Sequence, residues 1–185
     1  DSAPMRMNAN SSFFLLPGLD GPSTAAVLQR AQSLGLHTSL DVCWDPTGRW
    51  AAELLPSLPY CDLIFPNETE ARAITGATEP LAMAQWFLDR GVKTAVIKLG
   101  AAGCLVKNAE ATVRVPAFAV NAVDATGAGD AFAGGFLAGL VWQWDWEQAA
   151  RFACALAAIS VTDFGVTTAL QSKEQVLAFV DRSAM

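Results

Sequence analysis

At 185 residues with a formal net charge of −6, the chain is one domain's worth of sequence, able to bury roughly 70% of the surface its unfolded form exposes. The acidic balance argues against a nucleic-acid or anionic-membrane partner, and no apolar run reaches the ~18 residues of a membrane-spanning helix. An apolar share of 52% with mean hydropathy +0.31 is above the ~45–50% usual for soluble domains; it suggests a surface meant to be covered, on a protein expected to be soluble and cytoplasmic.

In chain order, residues 1–12 are polar and unpatterned and read as a disordered lead-in, leaving residues 13–185 as the folded part. Phe13 to Leu16 is a short apolar run closed by Pro17-Gly18, the pattern of a strand buried on both faces. Asp20-Gly21-Pro22-Ser23 opens a helix through Leu34, stopped by Gly35. Thr38 to Val42, Cys61 or Asp62 to Phe65, and Thr94 to Leu99 read as further strands. Helices at Glu68 to Thr75 and Pro80 to Arg90 lie between them, ended by Gly76 and Gly91. Gly103 to Lys107 and Thr112 to Pro116 read as a hairpin around Asn108-Ala109-Glu110-Ala111. Helices follow from Ala128 to Val141, from the cap Asp145 (with Gln148 at the capping-box position) to Thr162, and from Ser172 to Arg182. This β-α-β-α alternation predicts an α/β fold of three layers, α/β/α, on a mostly parallel sheet. Ligands of such sheets bind at the carboxyl ends of the strands.

Four stretches fall at such ends. In Asp124-Ala125-Thr126-Gly127-Ala128-Gly129-Asp130, a glycine-rich turn feeds a helix whose unpaired N–H groups and positive dipole end suit an anion. Asp130 there reads either as a general base or as an ordinary acid in a helix first turn. Asn67-Glu68-Thr69-Glu70 reads by itself as N-capping by Asn67 with acids in the helix first turn. Lys98-Leu99-Gly100-Ala101-Ala102-Gly103 reads by itself as a β-turn between strands. In Asp41 to Trp50, Trp44 and Trp50 fill space while Arg49 pairs with an acid. The lone histidine, His37, sits at a strand's amino end and reads as structural; no Ser-His-Asp arrangement can be built without it. Cys43, Cys61, Cys104 and Cys154 form no C-x-x-C pair and read as reduced core thiols. Trp142, Trp144 and Trp146 read as packing or as an exposed patch.

The run D-A-T-G-A-G-D-A-F-A-G-G resembles the carboxyl-terminal signature of the PfkB (ribokinase-like) carbohydrate kinases, with Ala125 where Thr is commonest. The N-x-x-E of Asn67 and Glu70 and the G-x-x-G of Gly100 and Gly103 match the same family in the same order. The resemblance implies ATP-dependent phosphoryl transfer to a hydroxyl of a sugar or sugar acid. In it, Asp130 is the base, and Gly127, Ala128, Gly129 and Asp130 supply the anion hole. Asn67 and Glu70 hold Mg2+ largely through water, and Gly100 and Gly103, with Lys98 as a cation, lie against the nucleotide. The D-P-x-x-R likeness gives Arg49 a substrate contact, and Asp124 and Thr126 are candidates for a monovalent cation such as K+, with carbonyls from Ser160 to Gly165. Family members are longer, so the resemblance also implies that the amino-terminal strands, the lid and most sugar contacts are missing from residues 13–182, and it leaves room for a homodimer of a longer protein. Two alternatives stay open: a nucleotide-binding or structural fragment without catalysis of its own, and a nucleoside or vitamin kinase of the same fold.

Overall fold

A computed structural model describes residues 5–11, 13–15, 18, 20–165, 167–170 and 172–182. The fold is α/β; among the described residues six strands form one sheet in the order β1-β2-β3-β4-β5-β6. These are β1 (Met7–Asn10), β2 (His37–Leu40), β3 (Leu63–Ile64), β4 (Thr94–Lys98), β5 (Cys104–Lys107) and β6 (Thr112–Val115). β1 through β4 pair in parallel. The helices are α1 (Gly21–Ser33), α2 (Trp50–Leu54), α3 (Glu68–Thr75), α4 (Pro80–Leu88), α5 (Ala128–Val141), α6 (Trp146–Ser160) and α7 (Lys173–Arg182). The chain divides into two compact units. The first is Asp1–Lys98 with Leu105–Thr112, and the second is Leu99–Cys104 with Val113–Met185.

The first strand lies elsewhere than the apolar pattern predicts. Met7–Asn10, inside the expected lead-in, pairs with β2 from Met7↔His37 to Asn10↔Leu40. Phe13–Leu15, expected as a strand, forms a single 3-10 turn, and Leu16 and Pro17 lie outside the described residues. The reason is that a short apolar run reports burial rather than conformation. Phe13 is buried, while the backbone groups that flank β2 are met from the polar segment: His37 N–H donates to Arg6 O at 2.9 Å and Asp41 N–H to Asn10 O at 2.8 Å. Residues 1–4 and Ser12 lie outside the described residues.

In the first unit the central strand β4 is apolar on both sides, with Ala95, Val96 and Ile97 fully buried, as a parallel strand covered on both faces requires. Phe65, Phe87, Leu28, Leu54 and Met83 are also fully buried, each worth roughly 1.5–3 kcal/mol of hydrophobic stabilisation. Helix boundaries follow the local signals. Asp20 accepts from Ser23 N–H at 2.9 Å to start α1, Asn67 and Glu70 form a reciprocal capping box at α3, and Gly76, at φ 73°, ends it. At the amino ends of the strands the buried Asp62 accepts from Thr38 N–H at 2.9 Å and from Lys93 Nζ at 2.6 Å. His37 Nδ1 stands 3.7 Å from the same carboxylate, a structural placement.

In the second unit α5 and α6 meet along a seam of small residues. A Cβ added at Gly139 would lie 2.9 Å from Ala149, and one at Gly135 would lie 3.0 Å from Leu156 and 3.2 Å from Ala153. Asp145 and Gln148 form the expected capping box at α6. Phe152, Ala155, Ile159 and Val176 make the core between α6 and α7, with Phe118, Trp144 and Phe179 packed against it. The tryptophans pack too: Trp142 and Trp144 meet edge-on at 4.9 Å, and Lys173 Nζ lies 3.6 Å from the Trp142 ring centroid. All four cysteines are free thiols. Among the described residues no helix is long and apolar enough to cross a membrane.

Candidate active site

In the first unit, three adjacent parallel strands end in polar side chains. Asp41 follows β2, Asn67 follows β3 and Lys98 ends β4. Asn67 continues the ladder by bridging Lys98, so the start of α3 is fixed to the end of β4. Asn67 Oδ1 accepts from Glu70 N–H at 2.9 Å, and Glu70 Oε2 accepts from Asn67 N–H at 2.8 Å. The ordinary capping role is therefore present in full. Capping leaves Glu70 6% exposed, and burial pushes its carboxyl above the usual range, with the Asp41 charge adding; the Asn67 N–H and the Lys98 ammonium pull the other way without prevailing.

Lys98 is not a free cation. Its Nζ donates to both oxygens of Asp41, at 2.8 and 2.9 Å, with the two side chains 13% and 12% exposed. Nearby, Cys43 takes a left-handed backbone (φ 66°), and burial, then Glu70 and Asp41, push its thiol up. The sequence motifs give Asp41 no role of its own; its signal is its position, since it stands at a strand's carboxyl end as Asn67 and Lys98 do.

Arg49 lies in the loop organised by Asp45, whose buried carboxylate accepts from Thr47 N–H, Thr47 Oγ1 and Trp50 N–H at 2.6–2.8 Å. Burial alone would raise the Asp45 pKa, but these bonds outweigh it and hold it below its usual value. The Arg49 guanidinium is bound to Glu53 at 2.9 Å and to Thr47 at 3.1 Å, which is the acid-pairing arrangement weighed against a ligand contact. Trp44 and Trp50 meet edge-on at 4.7 Å.

In the second unit, Gly127 adopts φ 77° as the cap of α5. Asp130, in the first turn, is exposed to solvent. The Ala128 N–H is taken by Ala125 O at 3.2 Å, which removes one of the expected anion-hole donors. The N–H groups of Gly127, Gly129 and Asp130 have no acceptor among the described residues. Asp124 Oδ1 accepts from Thr126 N–H at 2.9 Å and Oδ2 from Gly165 N–H at 3.3 Å. These bonds, the Thr126 N–H first, hold the Asp124 carboxyl below its usual value. Val161 O receives both Val123 N–H and Asp124 N–H, at 2.7 and 3.2 Å. The turn is thus braced by Asp124 and held to the 161–165 loop, and the Val161 carbonyl already accepts two N–H groups.

The G-x-x-G glycines differ from each other. Gly100, at φ 56°, has open space where a Cβ would stand. A Cβ on Gly103, at φ 90°, would lie 1.9 Å from Val115 O. The room beside Gly103 is occupied by the chain's own backbone.

The pfkB family carbohydrate kinase model matches residues 5–173. The chain belongs to the pfkB family of carbohydrate kinases. A ribokinase from Haemophilus influenzae is 39% identical over 131 residues, 68% of this chain and 43% of that protein. Two solved pfkB-type structures are also similar. The aminoimidazole riboside kinase of Salmonella enterica, complexed with aminoimidazole riboside and an ATP analogue, matches at TM-score 0.81 and 29% identity over 96% of this chain and 64% of that one. A double-mutant fructokinase of Vibrio cholerae O395 in its fructose-, ADP- and potassium-bound form matches at TM-score 0.80 and 26% identity over 97% and 62%. This pfkB chain therefore spans less than half the length of that ribokinase.

Proposed function

We propose that the chain carries the nucleotide-binding and phosphoryl-transfer machinery of an ATP-dependent kinase acting on a hydroxyl of a sugar or sugar acid. The observation that carries this reading is the start of α5, where an exposed carboxylate, Asp130, sits beside N–H groups that have no acceptor among the described residues. The Asp130 carboxylate takes the proton of the acceptor hydroxyl as that oxygen attacks the terminal phosphorus of ATP. The N–H groups of Gly127, Gly129 and Asp130, aligned with the dipole of α5, meet the charge on the transferred phosphoryl oxygens. ADP leaves with the electrons of the broken P–O bond. Gly100, open at its Cα, is the backbone position suited to lie against the nucleotide.

Asn67 and Glu70 fit Mg2+ as water-mediated partners, because capping uses Glu70 Oε2 and one lone pair of Asn67 Oδ1, leaving Glu70 Oε1 and the second Asn67 Oδ1 lone pair for waters, and magnesium keeps several of its waters. When bound, the ion neutralises charge on the ATP phosphates. A potassium ion beside Asp124 and Thr126 would use remaining lone pairs of the Asp124 carboxylate and carbonyls of the 160–165 loop other than Val161; the potassium-bound form of the related fructokinase supports this assignment. Arg49 is a substrate contact only if Glu53 releases it. The acceptor is left at the level of a sugar-type alcohol, since the similar proteins act on different ones.

Asp130→Asn in the kinase-active protein should lower turnover by ~10² to 10⁴, the usual range for loss of a general base, with nucleotide affinity retained. Turnover within a few-fold of wild type refutes the assignment of Asp130. The partial coverage of the relatives favours one second reading: nucleotide binding by these 185 residues without sugar phosphorylation. ATP binding measured by calorimetry beside a phosphorylation assay on the same chain distinguishes the two.

A further inference from the structure

Two of the four free thiols stand within reach of each other. Cys104 is the first residue of β5 and Cys154 lies midway along α6. They are 50 positions apart in the chain, yet the Cys154 thiol donates to Cys104 Sγ at 3.9 Å. Both belong to the second unit, whereas Cys43 and Cys61 belong to the first, and the pair is 1% and 5% exposed. None of the roles above uses them. Cys104 directly follows Gly103, which closes the G-x-x-G loop by accepting from Leu99 N–H at 2.8 Å and donating to Gly100 O at 3.0 Å. We propose that Cys104 and Cys154 are a redox-sensitive pair, converted by peroxide to a disulfide that fastens the end of the G-x-x-G loop to α6. The inference rests on the reading of that loop as a nucleotide contact only for its effect on ATP binding.

The fold holds the two sulfurs in contact, so one that is oxidised meets its partner before a second oxidant arrives. Cys154 is the sulfur that reacts first, since the thiolate is the nucleophile. The bond to Cys104 holds its thiol below the ordinary value against burial, and the Arg151 charge one turn earlier helps; the same bond and burial push Cys104 up. Hydrogen peroxide, little larger than water, is the class of oxidant that suits sulfurs so enclosed. Cys154 sulfur attacks one peroxide oxygen: an S–O bond forms, the O–O bond breaks, and the departing hydroxide leaves as water with the Cys154 proton. Cys104 sulfur then attacks Cys154 sulfur: the S–S bond forms, the S–O bond breaks, and the second hydroxide leaves as water with the Cys104 proton. The two sulfurs together lose two electrons, and one peroxide becomes two waters. A dithiol such as dithiothreitol reverses the change, its own sulfurs being oxidised instead. The covalent link takes from the loop the freedom with which it would close on a nucleotide, and Gly103 has none to spare, because the backbone of residues 115–117 fills the space beside its Cα.

The test treats the folded 185-residue chain with hydrogen peroxide, blocks the remaining thiols with iodoacetamide and maps the cysteines by peptide mass spectrometry. A Cys104–Cys154 link should account for most of the disulfide formed, with Cys43 and Cys61 alkylated, and dithiothreitol should restore both thiols. In urea the same treatment should scatter the pairing among all four cysteines. Cys104→Ala should carry Cys154 on to sulfinic acid in place of the disulfide. Should that variant fail to fold, the pairing in the folded wild-type chain against the urea-unfolded one decides. No link in the folded chain, or pairing no more selective than in urea, overturns the proposal. By calorimetry the oxidised chain should bind ATP about fivefold or more weakly than the reduced one, the low end of ordinary coupling between sites, and recover with dithiothreitol. Equal affinities overturn the link to the loop. Absence of ATP binding in both forms counts instead against the reading of the loop, and the cysteine pair is then judged by the mass map alone.

Discussion

Gly103→Ala separates a packing glycine from a ligand-facing one. Its backbone stands at φ 90°, ψ −125°, a region of essentially glycine-only geometry that costs a side-chain-bearing residue about 1–3 kcal/mol. The new Cβ would also lie 1.9 Å from Val115 O, 2.6 Å from Ala117 N and 2.7 Å from Pro116 C. Carbon contacts are comfortable near ~3.5 Å, so the backbone of residues 115–117 must retreat by more than an ångström, and forced repacking typically costs a further 1–3 kcal/mol or so. The sum is about 2–6 kcal/mol, a large part of the ~5–15 kcal/mol that holds a domain together. At roughly 2–4 °C per kcal/mol for a chain of this size, the melting temperature should fall by about 4–24 °C, with a matching drop in the urea midpoint. Gly100→Ala is the control: its φ is 56° and no atom lies within 4 Å of the added methyl, so only the left-handed penalty of about 1–2 kcal/mol applies. Circular dichroism melts of both variants decide the matter. A Gly103→Ala protein within about 1 kcal/mol of wild type, or a Gly100→Ala protein equally damaged, refutes this reasoning.

On α5, Gly134→Ala should stabilise by up to ~1 kcal/mol, because nothing lies within 4 Å of the added methyl and alanine is the better helix former. Gly139→Leu should instead force α5 from α6 at Ala149 and cost about 3 kcal/mol or more; thermal melts with the same sign for both would sink the argument. Asp62→Ala removes the acceptor of Thr38 N–H and Lys93 Nζ and should cost about 2–4 kcal/mol in urea unfolding. Burial raises the Asp62 pKa, but Lys93 and the Thr38 N–H outweigh it and the folded value lies below the ordinary one. The stability it contributes is therefore fully present above the unfolded pKa of ~3.9 and lost as pH falls through the folded value. Urea midpoints recorded from pH 3 to 6 should show this acid-sensitive component in wild type and not in Asp62→Asn.

Much of the fold was legible where local chemistry and burial agree. The N-x-x-E of Asn67 and Glu70 predicted a helix from Glu68 to Thr75, and α3 occupies those residues because the capping box and Gly76 are both local signals. Asp145 with Gln148 worked for the same reason. β1 was illegible because its hold on the sheet is backbone pairing with β2, thirty residues away, and M-N-A-N carries no apolar alternation. α2 was missed because Asp45, a side chain outside the helix, holds the preceding loop by accepting from Trp50 N–H. At the candidate site, that Asn67 caps α3 and that Glu70 and Asp130 stand in helix first turns could be read directly. That Lys98 is claimed by Asp41, 57 residues away, and Arg49 by Glu53 could not, because a sequence does not say which of several nearby acids a cation will choose.

The small-residue seam between α5 and α6 changes how the D-A-T-G-A-G-D-A-F-A-G-G run is to be weighed. Its first seven residues form the corner at which chemistry is proposed, but its final glycine, Gly135, is required by the approach of Ala153 and Leu156 on the neighbouring helix. A pattern search that scores the whole run therefore counts a steric demand of the scaffold as though it were a trace of the reaction. A relative that lost the aspartate and kept the seam would still score well while having no base to offer.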